Sequence, residues 1–366
     1  MSHKINEIMA NELETFAKRL KSARVMAKLS MEGLSQAMGG VVSKQTISKY
    51  ENAKMLPSST ILISLAQALS VDLDYFFRPY AFDIKEIKVS FRSKRSVSAK
   101  DEASLKEKIH DSIERYMEIE DILGINDPFV VNVSSAPINS MSDMWMRAQA
   151  LRREWKLGDA PIANVQSLLE SKYIRVIPLN EVPYGFDGLS GFINEKYPII
   201  VVNGKKTVER RRLTMLHELA HLLFNDYFSG DLSDYNKETY CNAFASEMLI
   251  PSTVVESVFC RECKEVTLSE LSLLQQDYGI SIDALVMKAH QLDLISENRY
   301  RYYYIRKNQS PSFKEYAEKS RFIEKSTERF ESLVYKAVIR DLISESKAAA
   351  LLGVSVEDVH NNINIV

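Results

Sequence analysis

The pattern of apolar and polar positions along the chain is most regular between residues 208 and 224. No glycine or proline interrupts this stretch, and its apolar residues recur three or four positions apart. They are Leu213, Leu216, Ala220 and Leu223. Residues with this spacing lie on one face of an α-helix. The sequence therefore predicts a helix from Val208 to Phe224.

Shorter apolar runs predict a small β-sheet. The clearest candidates are residues 173–179, 188–194 and 197–203, while residues 84–91 alternate more loosely. Residues 299–304 interleave tyrosine with arginine, which favours a strand with a half-buried tyrosine face over a platform for single-stranded nucleic acid. Much of the remaining chain has helical periodicity. The predicted fold class is α+β, mainly α with a small β-sheet.

Residues 100–123 combine many charges with one apolar stripe. The stripe consists of Leu105, Ile109, Ile113, Tyr116 and Leu123. This pattern predicts an amphipathic helix. We interpret it as a connecting or dimer-forming helix, and we expect the protein to be a homodimer.

A candidate metal site lies within the predicted helix 208–224, at His217-Glu218-Leu219-Ala220-His221. The two histidines are four residues apart, so both lie on one helix face and can bind one metal ion. Glu218 follows the first histidine and can contact an activated water without binding the metal. Zinc prefers imidazole and carboxylate ligands, and a catalytic zinc site keeps one position open. A third protein ligand is therefore expected.

Glu238 is the best candidate for that third ligand. A second helix is predicted to begin near residue 233 and to end before Pro251. Glu238 and Asn242 share one face of it, and Asn242 can accept the free ring N–H of a ligand histidine. Glu247 is the alternative ligand, although its apolar neighbours place it at the edge of a packed face.

The downstream helix carries the pattern Glu238-x-x-Cys241-Asn242-x-Phe244-Ala245-x-Glu247. Together with the two histidines, this pattern resembles the ImmA/IrrE family of zinc metallopeptidases over residues 140–295. The family has alanine where this chain has Cys241. The resemblance implies that His217, His221 and Glu238 bind Zn²⁺ and that Glu218 is the general base. It also implies a zincin-like domain, which we place at residues 131–298, followed by a helical C-terminal region, residues 299–366, that acts as a structural cap.

Residues 13–77 have the pattern of five short helices. The second and third helices, across a tight turn at Gly39-Gly40, form a candidate helix-turn-helix. Ile47 and Tyr50 of the third helix, residues 43–52, are predicted to face the core. Glutamine can read adenine, and lysine can contact guanine or phosphate. The candidate DNA-contacting residues are Gln36, Lys44, Gln45, Thr46, Ser48 and Lys49.

The stretches Leu34-Ser35-Gln36-Ala37 and 43–52 resemble the Xre/Cro/phage-repressor family. The resemblance implies that residues 1–80 form a repressor-like domain that binds double-stranded operator DNA. The family often has glycine two residues after the glutamate at the end of the third helix; here Ala53 occupies that position, so a tight bend is less expected. A helical protein-interaction module is the alternative.

Composition limits these interpretations. A net charge of −2 excludes a globally basic nucleic-acid binder, although residues 1–80 hold ten Lys and Arg against seven Asp and Glu. The chain has no apolar run of 18 residues and no signal-peptide pattern, so we expect a cytoplasmic protein without membrane contact. Cys260 and Cys263 have the spacing of a metal or redox pair, but ordinary free thiols are the preferred interpretation.

The combined prediction is a transcriptional regulator fused to a zinc endopeptidase, joined by residues 81–130 as a linker strand and connecting helix. The peptidase would cleave a repressor-type protein, or the chain itself, and so relieve repression during stress or mobile-element induction. Residues 92–103 are the most exposed candidate cut site. Two alternatives remain open: a transcription factor whose metal domain senses, and a toxin–antitoxin regulator whose peptidase fold binds a partner. The complete HExxH motif argues against the first.

Overall fold

The computed structural model describes residues 2–80, 87–89, 98–259, 267–324 and 329–363, with side chains throughout except at residues 2–10 and 87–89. Within this part of the chain there are seventeen α-helices and one four-stranded sheet. The predicted fold class, mainly α with a small β-sheet, is confirmed. The predictions for Cys260, Cys263 and residues 92–97 lie outside the described residues.

The N-terminal unit is a bundle in which one long helix packs with several short ones. Its elements are α1 (Ser2–Met26), α2 (Met31–Ala37), α3 (Lys44–Glu51), α4 (Ser59–Leu69) and a 3₁₀ helix (Leu73–Phe77). Ser30 and Ser43 start α2 and α3 because each hydroxyl accepts a backbone N–H of the first turn. The fully buried residues of this core include Phe16, Leu20, Leu34, Ile47 and Leu65. The bundle predicted from residues 13–77 is therefore present.

The chain turns sharply after α3. Ala53 has a φ of +54°, in the left-handed region, and its N–H donates to the carbonyl of Tyr50 at 3.2 Å. The tight bend is therefore made by an alanine. The expectation that a missing glycine makes the bend less assured is wrong.

The sheet consists of β1 (Ile87–Val89), β2 (Arg175–Leu179), β3 (Gly188–Ile193) and β4 (Tyr197–Asn203), in the order β1–β3–β4–β2. β3 pairs antiparallel with both β1 and β4, whereas β2 and β4 are parallel. Ile87 lies opposite Ile193 and Val89 opposite Gly191. β1 therefore joins the segment between the two predicted domains to the sheet of the second.

One face of the sheet is covered by α5 (Ala99–Ile122). Leu105, Ile109 and Ile113 on this helix are at most 2% exposed and belong to one core with Ile177 of β2 and Leu189 of β3. The apolar stripe of α5 is therefore buried within its own chain. The segment connects the two parts of the chain, and its apolar stripe is not free to contact a second copy; the predicted homodimer stays a prediction.

The other face of the sheet is covered by a helical layer. It begins with α6 (Met141–Glu154), α7 (Val165–Glu170), α8 (Val208–Phe224) and α9 (Asp234–Leu249). It continues with α10 (Ser252–Val258), α11 (Leu268–Tyr278), α12 (Ile282–Gln291), α13 (Glu297–Gln309) and α14 (Pro311–Glu318). Residues of α6 to α14 share one large core with β2 and β4. The metal motif on α8 is thus placed between a sheet and a thick helical layer.

The strand predicted at residues 299–304 is wrong, because this stretch lies in α13. The Ser296 hydroxyl caps the helix by accepting the N–H of Arg299. Tyr300 stacks on His290 at 4.5 Å between ring centroids, and the Tyr303 hydroxyl donates to Asp283 at 2.7 Å. Tyrosines spaced three and four apart cover one helix face, and packing against α12 overrides their strand propensity.

Three C-terminal helices close the end of α5: α15 (Arg329–Ile339), α16 (Glu345–Leu352) and α17 (Val356–Ile363). Tyr116 of α5 packs on Phe330 with ring centroids 5.4 Å apart, and Arg329 pairs with Glu120 at 2.6 Å. The helical C-terminal region therefore covers α5, as expected of a structural cap.

The N-terminal unit packs against α5 at Asp111 and Glu114, before the part of the helix that the C-terminal helices cover. Arg19 of α1 forms a buried bidentate ion pair with Glu114, and Arg78 pairs with Asp111. The side chains of Arg19 and Glu114 are only 2% and 1% exposed. The ring of Tyr80 stacks against the Arg19 guanidinium at 3.9 Å. Charges buried at an interface must be paired, so these contacts fix the N-terminal unit on the connecting helix.

Among the described helices, none combines the length and the apolar character that crossing a membrane requires.

Candidate functional site

Two capped helices bring the metal-motif residues together. α8 starts after Thr207 and α9 after Ser233, and each hydroxyl accepts a backbone N–H of its first helical turn. The helices pack against each other, with the rings of Phe224 and Phe244 in edge contact at 5.3 Å. This packing sets the carboxyl-terminal half of α8 beside the first half of α9.

His217, His221 and Glu238 converge at this contact. His217 Nε2 lies 3.3 Å from Glu238 Oε2, and His221 Nε2 lies 3.4 Å from Glu238 Oε1. The two Nε2 atoms are 3.1 Å apart. The three side chains are 14%, 12% and 22% exposed, so the cluster is largely buried but in contact with solvent.

These separations match a shared metal ion. A tetrahedral zinc site has metal–ligand distances of about 2.0–2.1 Å, which places neighbouring ligand atoms about 3.3 Å apart. Across the residues the structure describes, this is the one group of His, Cys, Asp and Glu side chains able to hold a metal ion. The donor set, two imidazoles and one carboxylate, fits the metal that the motif implies.

The outer ring nitrogens of both histidines also have partners on α9. His217 Nδ1 lies 2.9 Å from Asn242 Oδ1, and His221 Nδ1 lies 3.6 Å from Cys241 Sγ. Both atoms can accept an Nδ1–H, which leaves the Nε2 lone pair of each ring for a metal ion when one replaces the hydrogen bonds to Glu238. Two lone pairs and a carboxylate facing one point form a cation-binding arrangement.

The carboxylate of Glu238 is held in its charged form. Its hydrogen bonds to His217 and then to His221 keep the pKa of Glu238 far below its usual range, against the opposing effect of partial burial. A charged carboxylate is the form that binds a metal ion.

Glu218 is oriented by the sheet. It is 9% exposed, and its Oε2 accepts a hydrogen bond from the Ser190 hydroxyl of β3 at 2.8 Å. β3 can approach α8 this closely because Gly188 has no side chain. A Cβ at this position would lie 2.6 Å from Thr214 and 3.5 Å from Glu218. This hydrogen bond holds the Glu218 carboxylate in one orientation.

Glu247, the alternative third ligand, has a different partner. It is fully buried, and its Oε2 accepts hydrogen bonds from Lys288 Nζ and from the Ser252 hydroxyl, both at 2.5 Å. Burial lowers the pKa of Lys288 to about 8, opposed by its pairing with Glu247. The structure therefore places Glu247 in an ion pair that ties α9 to α12, away from the three converging side chains.

The arginines before the motif serve the fold. Arg210 pairs with Asp187 at 2.7 Å. Arg212 is fully buried and binds Glu324 at 2.6 Å, together with the backbone carbonyl of Ile162. Both side chains are therefore engaged in ion pairs within the fold.

The candidate DNA-contacting residues lie on the exposed face of α2 and α3. Gln36, Lys44, Gln45 and Lys49 are exposed, and Thr46 and Ser48 are half-buried. Two of the six also make contacts within the helix. The Thr46 hydroxyl lies 3.0 Å from the Ser43 hydroxyl, and the Ser48 carbonyl accepts a hydrogen bond from Asn52 at 2.6 Å.

Comparisons with known proteins give one family match in each of the two parts of the chain. Residues 20–76 match the family model described as helix-turn-helix, and residues 174–290 match the model described as IrrE N-terminal-like domain. The radiation response metalloprotease IrrE of Deinococcus deserti is 26% identical over 98 residues. The match covers 21% of this chain and 35% of that protein, so the chain spans about a third of the length of this relative.

The fold and the matches define a chain with two functional parts. The N-terminal part is a DNA-binding helix-turn-helix domain of the Xre type. The second part is a domain of the IrrE-like metallopeptidase kind, a metal-dependent class, and it contains a His-His-Glu group suited to a metal.

Two site residues escaped the sequence analysis. Ser190 carries no motif, and its contact with Glu218 arises only when β3 packs on α8. Cys241 is visible in the sequence as a departure from the family pattern, but its position beside His221 depends on how α9 faces α8.

Proposed function

We propose that this protein is a DNA-binding transcriptional regulator joined to a zinc-dependent endopeptidase. The peptidase cleaves a repressor-type protein and so relieves repression, in stress or in the induction of a mobile element. One observation carries the enzymatic half: His217, His221 and Glu238 converge within 3.4 Å of one another, beside Glu218.

In this proposal His217, His221 and Glu238 hold the zinc ion, and Asn242 fixes the ring of His217. Bound zinc supplies Lewis-acid chemistry, which polarises a peptide carbonyl and makes water a better nucleophile. Glu218 accepts the proton of the attacking water on Oε1 and passes it to the leaving amine. The Ser190 hydroxyl stays on Oε2 and keeps the carboxylate in one orientation.

The DNA-binding half reads an operator through α3. Gln45 is proposed to contact a base edge, and Lys44 and Lys49 to contact guanine or phosphate. Gln36, Thr46 and Ser48 lie on the same side and are proposed to add polar contacts. The exposure of the four longer side chains supports this arrangement.

The substrate is either the chain itself or a separate repressor. β1 ends at Val89, which lies opposite Gly191 of β3. Gly191 directly follows Ser190, whose hydroxyl donates a hydrogen bond to Glu218. This proximity supports a cut in the segment that follows β1. Residues 99–103 already belong to α5, so the candidate cut site of residues 92–103 narrows to residues 92–98.

Self-cleavage alone would leave the DNA-binding unit docked. The buried ion pair between Arg19 and Glu114 and the pairing of Arg78 with Asp111 do not depend on that segment. A cut in cis therefore ends repression only if the N-terminal unit also leaves α5, whereas a cut in a separate repressor acts directly.

The test compares cells that express wild type, Glu218→Gln, or Glu357→Gln as a control at an exposed glutamate of α17. Chain length is followed by immunoblot and cleaved proteins by proteomics. A shortened chain in wild type and Glu357→Gln alone indicates cleavage in cis, and selective loss of another repressor-type protein indicates cleavage in trans. If all three strains have the same proteome and full-length chains, the proposed peptidase is wrong.

A further inference from the structure

Two successive turns of α9 contact both histidines. Glu238 faces their Nε2 atoms, and the next turn places Cys241 and Asn242 at their Nδ1 atoms. Asn242 serves His217, and Cys241 serves His221. The same helix therefore supplies one candidate ligand and an outer partner for each of the other two.

We propose that Cys241 is a positioning residue for the metal centre, whose sulfur accepts the Nδ1–H of His221. This contact fixes the tautomer of His221 and turns its Nε2 towards Glu238. The inference rests on the proposed zinc site. Histidine ligands generally need such an outer acceptor, and its loss weakens metal binding about 10–100-fold.

The geometry separates this role from direct ligation. Cys241 Sγ lies 3.6 Å from His221 Nδ1, whereas the other ring nitrogen, Nε2, lies 3.4 Å from Glu238 and 3.1 Å from His217. The sulfur is therefore on the side of the imidazole that faces away from the proposed ion.

The sulfur also has a chemical reason to matter. Cys241 is fully buried, so water does not reach the sulfur and compete for it. The ImmA/IrrE pattern has alanine at this position, and a methyl group accepts no hydrogen bond. Cys241→Ala would therefore remove the sulfur acceptor 3.6 Å from His221 Nδ1.

The experiment measures zinc affinity by chelator competition in the full chain. Cys241→Ala should weaken zinc binding about 10-fold, and Asn242→Ala at least as much. Cys241→Ser should lose less, because its hydroxyl can still accept. Ser246→Ala, a buried polar position on α9 whose hydroxyl donates to the Ala243 carbonyl, is the matched control and should bind zinc as wild type does.

Ring ¹⁵N NMR of His221 gives a second readout, which a packing role alone would not change. In the zinc-loaded protein the Nδ1–H proton of His221 should be shifted downfield and protected from exchange in wild type, and both effects should be lost in Cys241→Ala. Unchanged affinity and an unchanged Nδ1–H signal of His221 in Cys241→Ala would overturn the proposal. So would thiolate-to-metal charge-transfer absorption in the Co²⁺-loaded protein, because it would make Cys241 a ligand.

These outcomes are separable from the proposed function. If wild type binds no zinc, the proposed peptidase fails. If wild type binds zinc while Cys241→Ala binds it equally and keeps the same Nδ1–H signal, the positioning role fails and the zinc site stands.

Discussion

The metal centre and the exposed face of α3 differ in how firmly the fold holds their side chains. His217 and His221 are 14% and 12% exposed, and each has a partner at both ring nitrogens. Lys44, Gln45 and Lys49 instead lie exposed on α3, although the backbone beneath them is anchored by Ile47 and Tyr50. One region fixes individual atoms, and the other fixes only the helix.

The difference follows from the size of what each region binds. A metal ion needs its ligands within about 0.5 Å of their working positions, so their rotamers must be locked by other side chains. DNA is a large partner that spreads its free energy over many contacts, and long flexible side chains can adjust to it. Substitutions should therefore have large effects around the metal centre and moderate ones on α3.

The largest predicted loss of stability comes from Lys288→Met. Lys288 of α12 and Glu247 of α9 are both fully buried, so this change leaves a buried carboxylate without its cationic partner between the two helices. We expect a destabilisation of about 3–5 kcal/mol by chemical denaturation. Lys336→Met, at an exposed lysine of α15, should change stability by less than about 0.5 kcal/mol.

The double variant Glu247→Gln with Lys288→Met sharpens this test. It removes both charges, so it should be more stable than Lys288→Met alone. If Lys288→Met proves as stable as the exposed control, the buried pair does not hold α9 in the way described.

Moderate effects are expected on α3, measured as DNA affinity of the full chain. Gln45→Ala should cost about 1–3 kcal/mol at one base position and relax preference there. Lys49→Ala should weaken binding to all sequences alike and lower the salt dependence by about one phosphate contact. Equal losses on every sequence for both variants would show that Gln45 reads no base.

The smallest predicted effect is at the bend after α3. Ala53 has a φ of +54°, a conformation that costs a residue with a Cβ about 1–2 kcal/mol and glycine much less. Ala53→Gly should therefore stabilise the N-terminal unit by up to about 1 kcal/mol in thermal or chemical unfolding. DNA affinity should not change. A loss of stability would mean that the bend is not strained.

Features that depend on local sequence were predictable, whereas contacts between distant elements were not. The bounds of α8, Val208–Phe224, were predicted to the residue because its period is local and uninterrupted. The proximity of Glu238 to the histidines was also predictable, since two helices joined by a short loop pack side by side. The contact of Ser190 with Glu218 was not, because it joins elements separated by a strand and a turn.

Two departures from the sequence-based expectations share one cause. The tyrosines of residues 299–304 indicated a strand, and the stripe of α5 was interpreted as dimer-forming, because a single segment does not show what it packs against. In the structure, α13 packs on α12, and α5 lies between the sheet and the C-terminal helices. Tertiary contacts decided both outcomes.

The central claim is that two helices assemble a metal centre in which Glu218 takes part without binding the ion. The most direct measurement is the zinc content of purified wild type, Glu218→Gln and Glu238→Ala by elemental mass spectrometry. We predict about one zinc ion per chain in wild type and Glu218→Gln, and loss of most of it in Glu238→Ala. Full zinc occupancy in Glu238→Ala, or loss of zinc in a folded Glu218→Gln, would contradict the account.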